Sequence, residues 1–304
     1  MSIPIRIPET LARNKEWAEW LAQLPDILAA SAKRWNLQIE TPMTEEYAEM
    51  SYCYIAPAKR EDGTEVILKI GSPGQRLENE VHALQLCNGQ SAVKLLDYDS
   101  EFGVLMLERA RPGVPLSVCT DDRENTRIVS RLMRAFWQPL PAKHSFRPTA
   151  YEIEGFGRLR KTHNGTTGPL PEKWVVRTEK LYEELMATST ETVVLHGDLH
   201  HYNILSAECE PWLIIDPKGY FGDPGYDVGA FLANYPEESC GGKDQDEIDV
   251  SRINIMIEEL GIPRDRVIKW GIVLACIWAR WSSDTPEEKW REDIRRAEAL
   301  DGLL

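Results

Sequence analysis

The chain has 304 residues, 42% of them hydrophobic and 28% charged, enough to bury one large core or two modest ones and too apolar for a disordered chain. Its 49 Asp and Glu outnumber 35 Lys and Arg for a formal net charge of -14, which argues against a nucleic-acid backbone as partner and suits a cationic small molecule. No apolar stretch approaches the roughly 20 residues that cross a bilayer, and the start Met1-Ser2-Ile3-Pro4-Ile5-Arg6 has no apolar signal core, so no membrane association is expected and the expected location is the cytoplasm.

The first predicted element is an amphipathic helix from Glu16 to Ala30, with Trp17, Trp20, Leu21, Leu24 and Leu28 at helical spacing. The period then changes: Tyr52, Tyr54 and Ile55 lead through Glu61-Asp62-Gly63 to Val66-Ile67-Leu68, a strand, turn and strand. Pro73 and Gly74 break the chain before a helix over Leu77–Leu86. Strands are expected at Val93–Tyr98 and Val104–Leu107, followed by the breaker Arg111-Pro112-Gly113. A boundary at 108–113 therefore divides an N-terminal helix and β-rich part, residues 1–107, from a helix-rich part, residues 114–304.

Helices are predicted there at Thr126–Trp137, Pro171–Thr188, Val228–Asn234, Glu247–Leu260, Arg266–Trp281 and Pro286–Leu300. The Gly- and Thr-rich stretch Thr162–Gly168 is the best candidate for a mobile loop. Inside the helical half lies a β-like island in which Val193-Val194-Leu195 precedes His196-Gly197-Asp198, and Trp212-Leu213-Ile214-Ile215 precedes Asp216. The cysteines, Cys53, Cys87, Cys119, Cys209, Cys240 and Cys276, are scattered without metal or redox spacing and read as reduced thiols.

The island, VVLHGDLHHYNILSAECEPWLIIDPKG, puts its polar residues where strands hand over to loops. Phosphoryl transfer needs a carboxylate to orient an attacking hydroxyl and take its proton, together with oxygen ligands for Mg²⁺ on the phosphates. Asp198 fits the first role. Asn203 stands four residues beyond it, the D-x-x-x-x-N spacing of a kinase catalytic loop, and Asp216 ends the following strand as a second metal ligand. Each of the three is also an ordinary turn residue, but their joint spacing favours the chemical reading. A zinc site built from His196, His200 and His201 competes less well, since the H-E-x-x-H spacing is missing. In the N-terminal half, Lys69 in VILKI is placed to hold nucleotide phosphates, with Glu80 on the next helix as its partner and Glu78 as the rival. A snorkelling strand lysine and a solvated glutamate are the bland alternatives.

These residues resemble the aminoglycoside phosphotransferase superfamily, and more narrowly the aminoglycoside/hydroxyurea antibiotic resistance kinases that include streptomycin 6-phosphotransferases. HGDLHHYN is similar to that family's H-G-D-x-x-x-x-N loop and IIDPKG to its I-D-P-x-G segment, within a resemblance covering roughly Tyr47 to Tyr235. The resemblance implies an α+β, protein-kinase-like, two-lobed fold with a small β-rich N-lobe and a larger helical C-lobe. It implies Asp198 as catalytic base, Asn203 and Asp216 as Mg²⁺ ligands, and Lys69 with Glu80 as the phosphate-holding pair. It also places a hinge at Glu108–Ala110, where backbone groups of Glu108 and Ala110 would meet the purine of ATP or GTP.

The implied activity is transfer of the γ-phosphoryl group to a hydroxyl of a small cationic acceptor, an aminoglycoside with streptomycin favoured. Hydroxyurea, choline, homoserine or a sugar are alternative acceptors, and a nucleotide-binding pseudokinase scaffold is the alternative from another class. Two departures are visible. Tyr47–Tyr52 contains no glycine where protein kinases have a Gly-rich loop, and His196-Gly197 replaces their His-Arg, which makes a protein substrate less suitable. Asp227, near a helix start, would cap backbone amides and steady the catalytic loop. The acidic run Glu237, Glu238, Asp244, Asp246, Glu247 and Asp249 fits either a polycation or a solvated helix N-terminus. Trp270, Trp278 and Trp281 fit a core stripe, with a sugar-stacking wall as the minority reading.

Overall fold

Alternating apolar residues between Tyr54 and Met106 need cover on one side, and in the computed structural model the first long helix supplies it. The structure describes residues 5–13, 17–40, 53–72, 74–234, 244–283 and 288–304. After the short α1 (Glu9–Ala12) comes α2 (Ala18–Trp35), then β1 (Leu37–Ile39), β2 (Tyr54–Arg60) and β3 (Glu65–Ile70). Helix α3 (Gln75–Cys87), β4 (Leu95–Asp99) and β5 (Val104–Glu108) follow. The strands form an antiparallel sheet in the order β1-β2-β3-β5-β4. One face, Tyr54, Ala56, Ala58, Val66, Leu68, Ile70, Val104 and Met106, packs with Leu21, Leu24, Ile27 and Leu28 of α2 as one buried cluster. The period of two puts Lys69 on the other face.

Two compact units result: residues 1–113 with Ser206–Ile215, and 114–205 with 216–304. The inclusion of Ser206–Ile215 in the first unit is not legible in the sequence, because its ties are to distant backbone. Ile214 donates to Ser91 O at 2.8 Å and accepts from Val93 N at 2.9 Å.

The second unit is mainly helical. After β6 (Pro112–Pro115), α4 runs over Asp122–Phe136, four residues earlier than the apolar period predicts, because Asp121 caps it by accepting from Arg123 and Glu124 backbone N–H groups, both at 3.2 Å. Two short strands, β7 (Gln138–Pro139) and β8 (Arg147–Pro148), precede α5 (Ala150–Thr162), a helix that the sequence reading assigns no element. Its interior Gly155 and Gly157 weaken the local signal by about 1 kcal/mol each, but a Cβ on Gly155 would stand 2.4 Å from the Arg280 guanidinium carbon. Close packing, not propensity, sets that residue. The Thr162–Gly168 loop is a tight turn in which Thr166 Oγ1 donates to His163 O at 2.8 Å.

Helix α6 (Glu172–Ala187) and β9 (Val193–Leu195) lead into the loop that begins at His196; β10 (Ile204–Ala207), β11 (Trp212–Ile214) and β12 (Tyr220–Gly222) follow. Strand β9 lies between β7 and β12, and β12 also pairs with β8. The remaining helices are α7 (Gly225–Ala233), α8 (Gln245–Leu260), α9 (Arg264–Trp281) and α10 (Trp290–Asp301); the predicted start at Pro286 lies outside the described residues. Trp270 is fully buried in the core, whereas Trp281 is 43% exposed and donates through Nε1 to Glu152 at 2.9 Å.

Buried charge pairs tie the helices. Arg252 Nε donates to Asp122 Oδ1 at 2.9 Å, and Arg296 Nη2 to Asp249 Oδ1 at 2.6 Å. The acidic run is therefore not a uniform cation surface: Asp249 is fully buried, and Asp244 caps α8 by accepting from Asp246 N at 2.9 Å. Glu237, Glu238 and Cys240 lie outside the described residues. No helix among the described residues is long and apolar enough to cross a membrane.

Candidate active site

Strand β9 is buried throughout and delivers a rigid base for the loop that follows. At Gly197 the backbone turns to φ +85°, and a Cβ there would stand 2.3 Å from Tyr220 Cδ2, so only glycine fits. Asp227, in the first turn of α7, fastens this turn: it accepts from His196 N at 2.9 Å, Gly197 N at 2.8 Å and Trp137 Nε1 at 3.1 Å. The capped amides thus belong to the loop and not to Asp227's own helix. Complete burial raises its pKa to about 6, against the opposing pull of those three donors.

The loop presents Asp198 with its side chain 22% exposed. Asn203 closes the loop from the far end, donating from Nδ2 to Asp198 O at 2.9 Å, with His200 Nε2 3.2 Å from the same nitrogen. A carbonyl can only accept, so the amide's nitrogen side is fixed and Oδ1 occupies the other branch. Burial holds the His200 pKa down, which keeps the ring neutral and leaves Nε2 able to accept. Asp216, just beyond β11, adopts φ +58°, a left-handed conformation that Asp tolerates better than most residues. Its side chain is 27% exposed, and its Oδ2 lies 2.5 Å from Lys218 Nζ, which is also 3.5 Å from Asp198 Oδ2.

The three histidines do not converge. His196 Nδ1 accepts from Asp198 N at 3.2 Å, His200 faces Asn203, and His201 is buried against the Phe231 ring, centroids 4.5 Å apart. The competing zinc site is not assembled. Among the described residues no three His, Cys, Asp or Glu gather around a possible metal. The Asn203 amide oxygen and the Asp216 carboxylate are hard oxygen donors of the kind that fits Mg²⁺, an ion usually held by one or two protein oxygens and completed by phosphates and water.

In the first unit, Lys69 Nζ lies 2.6 and 2.8 Å from the two Glu80 carboxylate oxygens, both side chains almost wholly buried. Glu78, the rival, is exposed. At the expected hinge, Glu108 N–H donates to Lys94 O at 2.9 Å and Glu108 Oε2 accepts from Lys94 N at 2.9 Å. The Glu108 N–H is thereby engaged by Lys94. Ala110 is half-buried, between Arg109, paired with Glu40 at 3.0 Å, and Arg111, which makes two 2.7 Å bonds to Glu65. Tyr47–Tyr52 lies outside the described residues.

Sequence reasoning assigns no role to Lys218 and gives His200 only the competing zinc reading, although both stand in quoted motifs. The usable signal for Lys218 was its position two residues past Asp216, close enough in the chain for its ammonium to reach that carboxylate.

A sequence profile for aminoglycoside/hydroxyurea antibiotic resistance kinases matches residues 34–285. Streptomycin 6-kinase of Streptomyces glaucescens is 28% identical over 274 residues, 88% of this chain and 87% of that protein. Hydroxyurea phosphotransferase of Kitasatospora aureofaciens is 29% identical over 285 residues, 91% of this chain and 80% of that protein. A crystal structure of choline kinase from Streptococcus pneumoniae superposes with a TM-score of 0.67 at 15% identity, covering 92% of this chain and 99% of that one, and shows the two-lobed kinase-like fold.

Proposed function

The chain belongs to the aminoglycoside/hydroxyurea antibiotic resistance kinase family, whose members are small-molecule phosphotransferases, and on that premise we propose that it moves the γ-phosphoryl group of ATP or GTP to a hydroxyl of an aminoglycoside, streptomycin being the favoured acceptor. The observation that carries the chemistry is the Asp198 loop, with Asn203 bonded back to Asp198 O at 2.9 Å and Asp216 reached through Lys218. Asp198 orients the acceptor hydroxyl and takes its proton as the oxygen attacks phosphorus. Asn203 Oδ1 and Asp216 would hold Mg²⁺, which when bound would neutralise phosphate charge.

Lys69, aimed by Glu80, takes the α- and β-phosphates, while the Glu108 carbonyl and the Ala110 backbone face the purine. Neutralising Lys69 as Lys69→Ala is expected to lower kcat/KM for the nucleotide by about 10²-fold through misplaced phosphates. Glu80→Gln, which keeps the shape but frees the lysine, is expected to cost about 10-fold. Steady-state kinetics at saturating acceptor check both; an unchanged kcat/KM removes the pair from the nucleotide site.

The acceptor is assigned from the relatives, supported by the net charge of -14, which favours a cation such as a guanidinylated aminoglycoside. The similarity to a hydroxyurea phosphotransferase supports a second reading, with a small uncharged acceptor. A nucleotide-consumption assay with Mg²⁺ and either ATP or GTP, run against streptomycin, other aminoglycosides, hydroxyurea, choline, homoserine and simple sugars, separates them when products are identified by mass. Phosphorylated streptomycin is expected. Product from another acceptor alone discards streptomycin, and nucleotide binding without any product points to a scaffold.

A further inference from the structure

Lys218 carries chemistry that the roles above leave unused. Its Nζ faces Asp216 Oδ2 at 2.5 Å and Asp198 Oδ2 at 3.5 Å, so one ammonium touches the residues read as metal ligand and as base. The side chain is only 16% exposed. Its backbone is also fixed to the loop that it serves: Lys218 N–H donates to His196 O at 2.7 Å, and two residues later Tyr220 pairs with Leu195 in β12 and β9. Both the root and the tip of the side chain are therefore referenced to the Asp198 loop, not to solvent.

An ammonium has three N–H donors and no acceptor. One donates to Asp216 Oδ2, Asp198 Oδ2 stands within ion-pair range at 3.5 Å, and donor capacity remains for an oxygen brought between the two carboxylates. In phosphoryl transfer the oxygens that arrive there are those of the moving group, whose charge is spread over three equatorial positions in the transition state. A cation already held in place by the protein needs no reorganisation when that charge develops.

We propose that Lys218 is a catalytic residue of the phosphoryl transfer, donating from Nζ to an oxygen of the transferring phosphoryl group beside Asp198; this rests on the reading of Asp198 as base and Asp216 as a residue of the phosphate site. In the step, the acceptor oxygen bonds to the γ-phosphorus as the bond from that phosphorus to the β,γ-bridging oxygen breaks. The acceptor's proton passes to Asp198, and the nucleoside diphosphate leaves with the electron pair of the broken bond. Lys218 keeps its three protons throughout, so it contributes charge and direction and no proton.

The test compares Lys218→Met and Lys218→Arg with the unaltered protein in three measurements: turnover with the acceptor found above, release of phosphate with water as acceptor, and affinity for Mg·ADP with and without aluminium fluoride, a mimic of the transferring group. The expected result for Lys218→Met is a loss of about 10²- to 10³-fold in both turnover rates, as for removal of one oxyanion donor. Affinity for Mg·ADP should stay within about threefold, while the extra affinity produced by aluminium fluoride falls in parallel with the rate. Lys218→Arg, which keeps the charge, should recover at least about a tenth of the activity.

A Lys218→Met protein with turnover within about threefold of the original overturns the proposal. So does a loss of Mg·ADP affinity as large as the loss of rate, because the lysine then only tethers Asp216. Should the Met variant not fold, as read by circular dichroism, Lys218→Gln repeats the same comparison with a donor but no charge. Asp198→Asn run alongside separates two failures. If it retains full turnover, the base reading falls and the lysine's role with it; if it is inactive while Lys218→Met is active, only the lysine's role falls.

Discussion

Asp198→Asn is expected to lower kcat by roughly 10²- to 10⁴-fold, the contribution of a positioned general base, while leaving the Kd for Mg²⁺-nucleotide close to its original value. The substitution keeps the shape of the side chain, and the contacts that fix the loop are not made by the Asp198 carboxylate. Asn203 bonds to the backbone carbonyl of residue 198, and Asp227 holds the amides of 196 and 197. The loop should therefore keep its geometry and lose only the proton acceptor. Single-turnover rates with calorimetric nucleotide binding check this, and an undiminished kcat sinks the assignment.

The second large effect is expected at Asp227, which touches no reacting group. Asp227→Ala leaves the N–H groups of His196, Gly197 and Trp137 without their acceptor. Each unsatisfied buried donor costs about 1–3 kcal/mol, and removing the poorly solvated carboxylate returns part of that. A net loss of about 2–4 kcal/mol in unfolding free energy is expected from denaturant titration.

Asp227 also gives a pH signature whose sign is opposite to that of a salt-bridged aspartate. Its folded pKa of about 6 stands above the ordinary value of 3.8, so between these values the folded state binds more protons than the unfolded one. This group's contribution to stability falls as pH rises from 3.8 to 6. Above that window its ionised form costs on the order of 3 kcal/mol. Asp227→Asn should remove that part of the pH slope. It should also lower kcat by about 10-fold or more, because one amide oxygen cannot serve donors on both sides of the original carboxylate. Denaturation at pH 5 and pH 7.5 measures the slope; an unchanged difference between the two proteins counts against Asp227 as its source.

Much of the geometry of the candidate site is legible in the sequence because its spacing is short-range. The interval from Asp198 to Asn203 fixes a single loop closed by a local hydrogen bond, and the choice of Glu80 over Glu78 is settled by which face of α3 is buried. The two-lobed kinase-like fold follows from the same motifs through the family resemblance, and the choline kinase superposition agrees with it. What periodicity could not supply depends on contacts between distant segments. Helix α5 is masked by two glycines, one of which, Gly155, lies against the Arg280 side chain over a hundred residues away. The commitment of Asp249 to Arg296 makes one member of an acidic run structural, although its neighbours in sequence look alike. The Glu108 N–H is consumed by Lys94, a pairing that the hinge motif alone does not reveal.

The membership of Ser206–Ile215 in the first unit has a consequence for recombining this chain with its relatives. A chimera joined once, after Gly113, would give the N-terminal part of one parent the hairpin of another, and Ser91 and Val93 would have to bond a foreign Ile214 equivalent. Three junctions, after Gly113, Leu205 and Ile215, are needed to exchange whole units. The latter two fall two residues after Asn203 and immediately before Asp216. Shuffled libraries that keep Ser206–Ile215 with residues 1–113 should therefore yield folded hybrids more often than single-crossover libraries, and grafting acceptor preference between relatives becomes a problem of seams beside the proposed metal ligands.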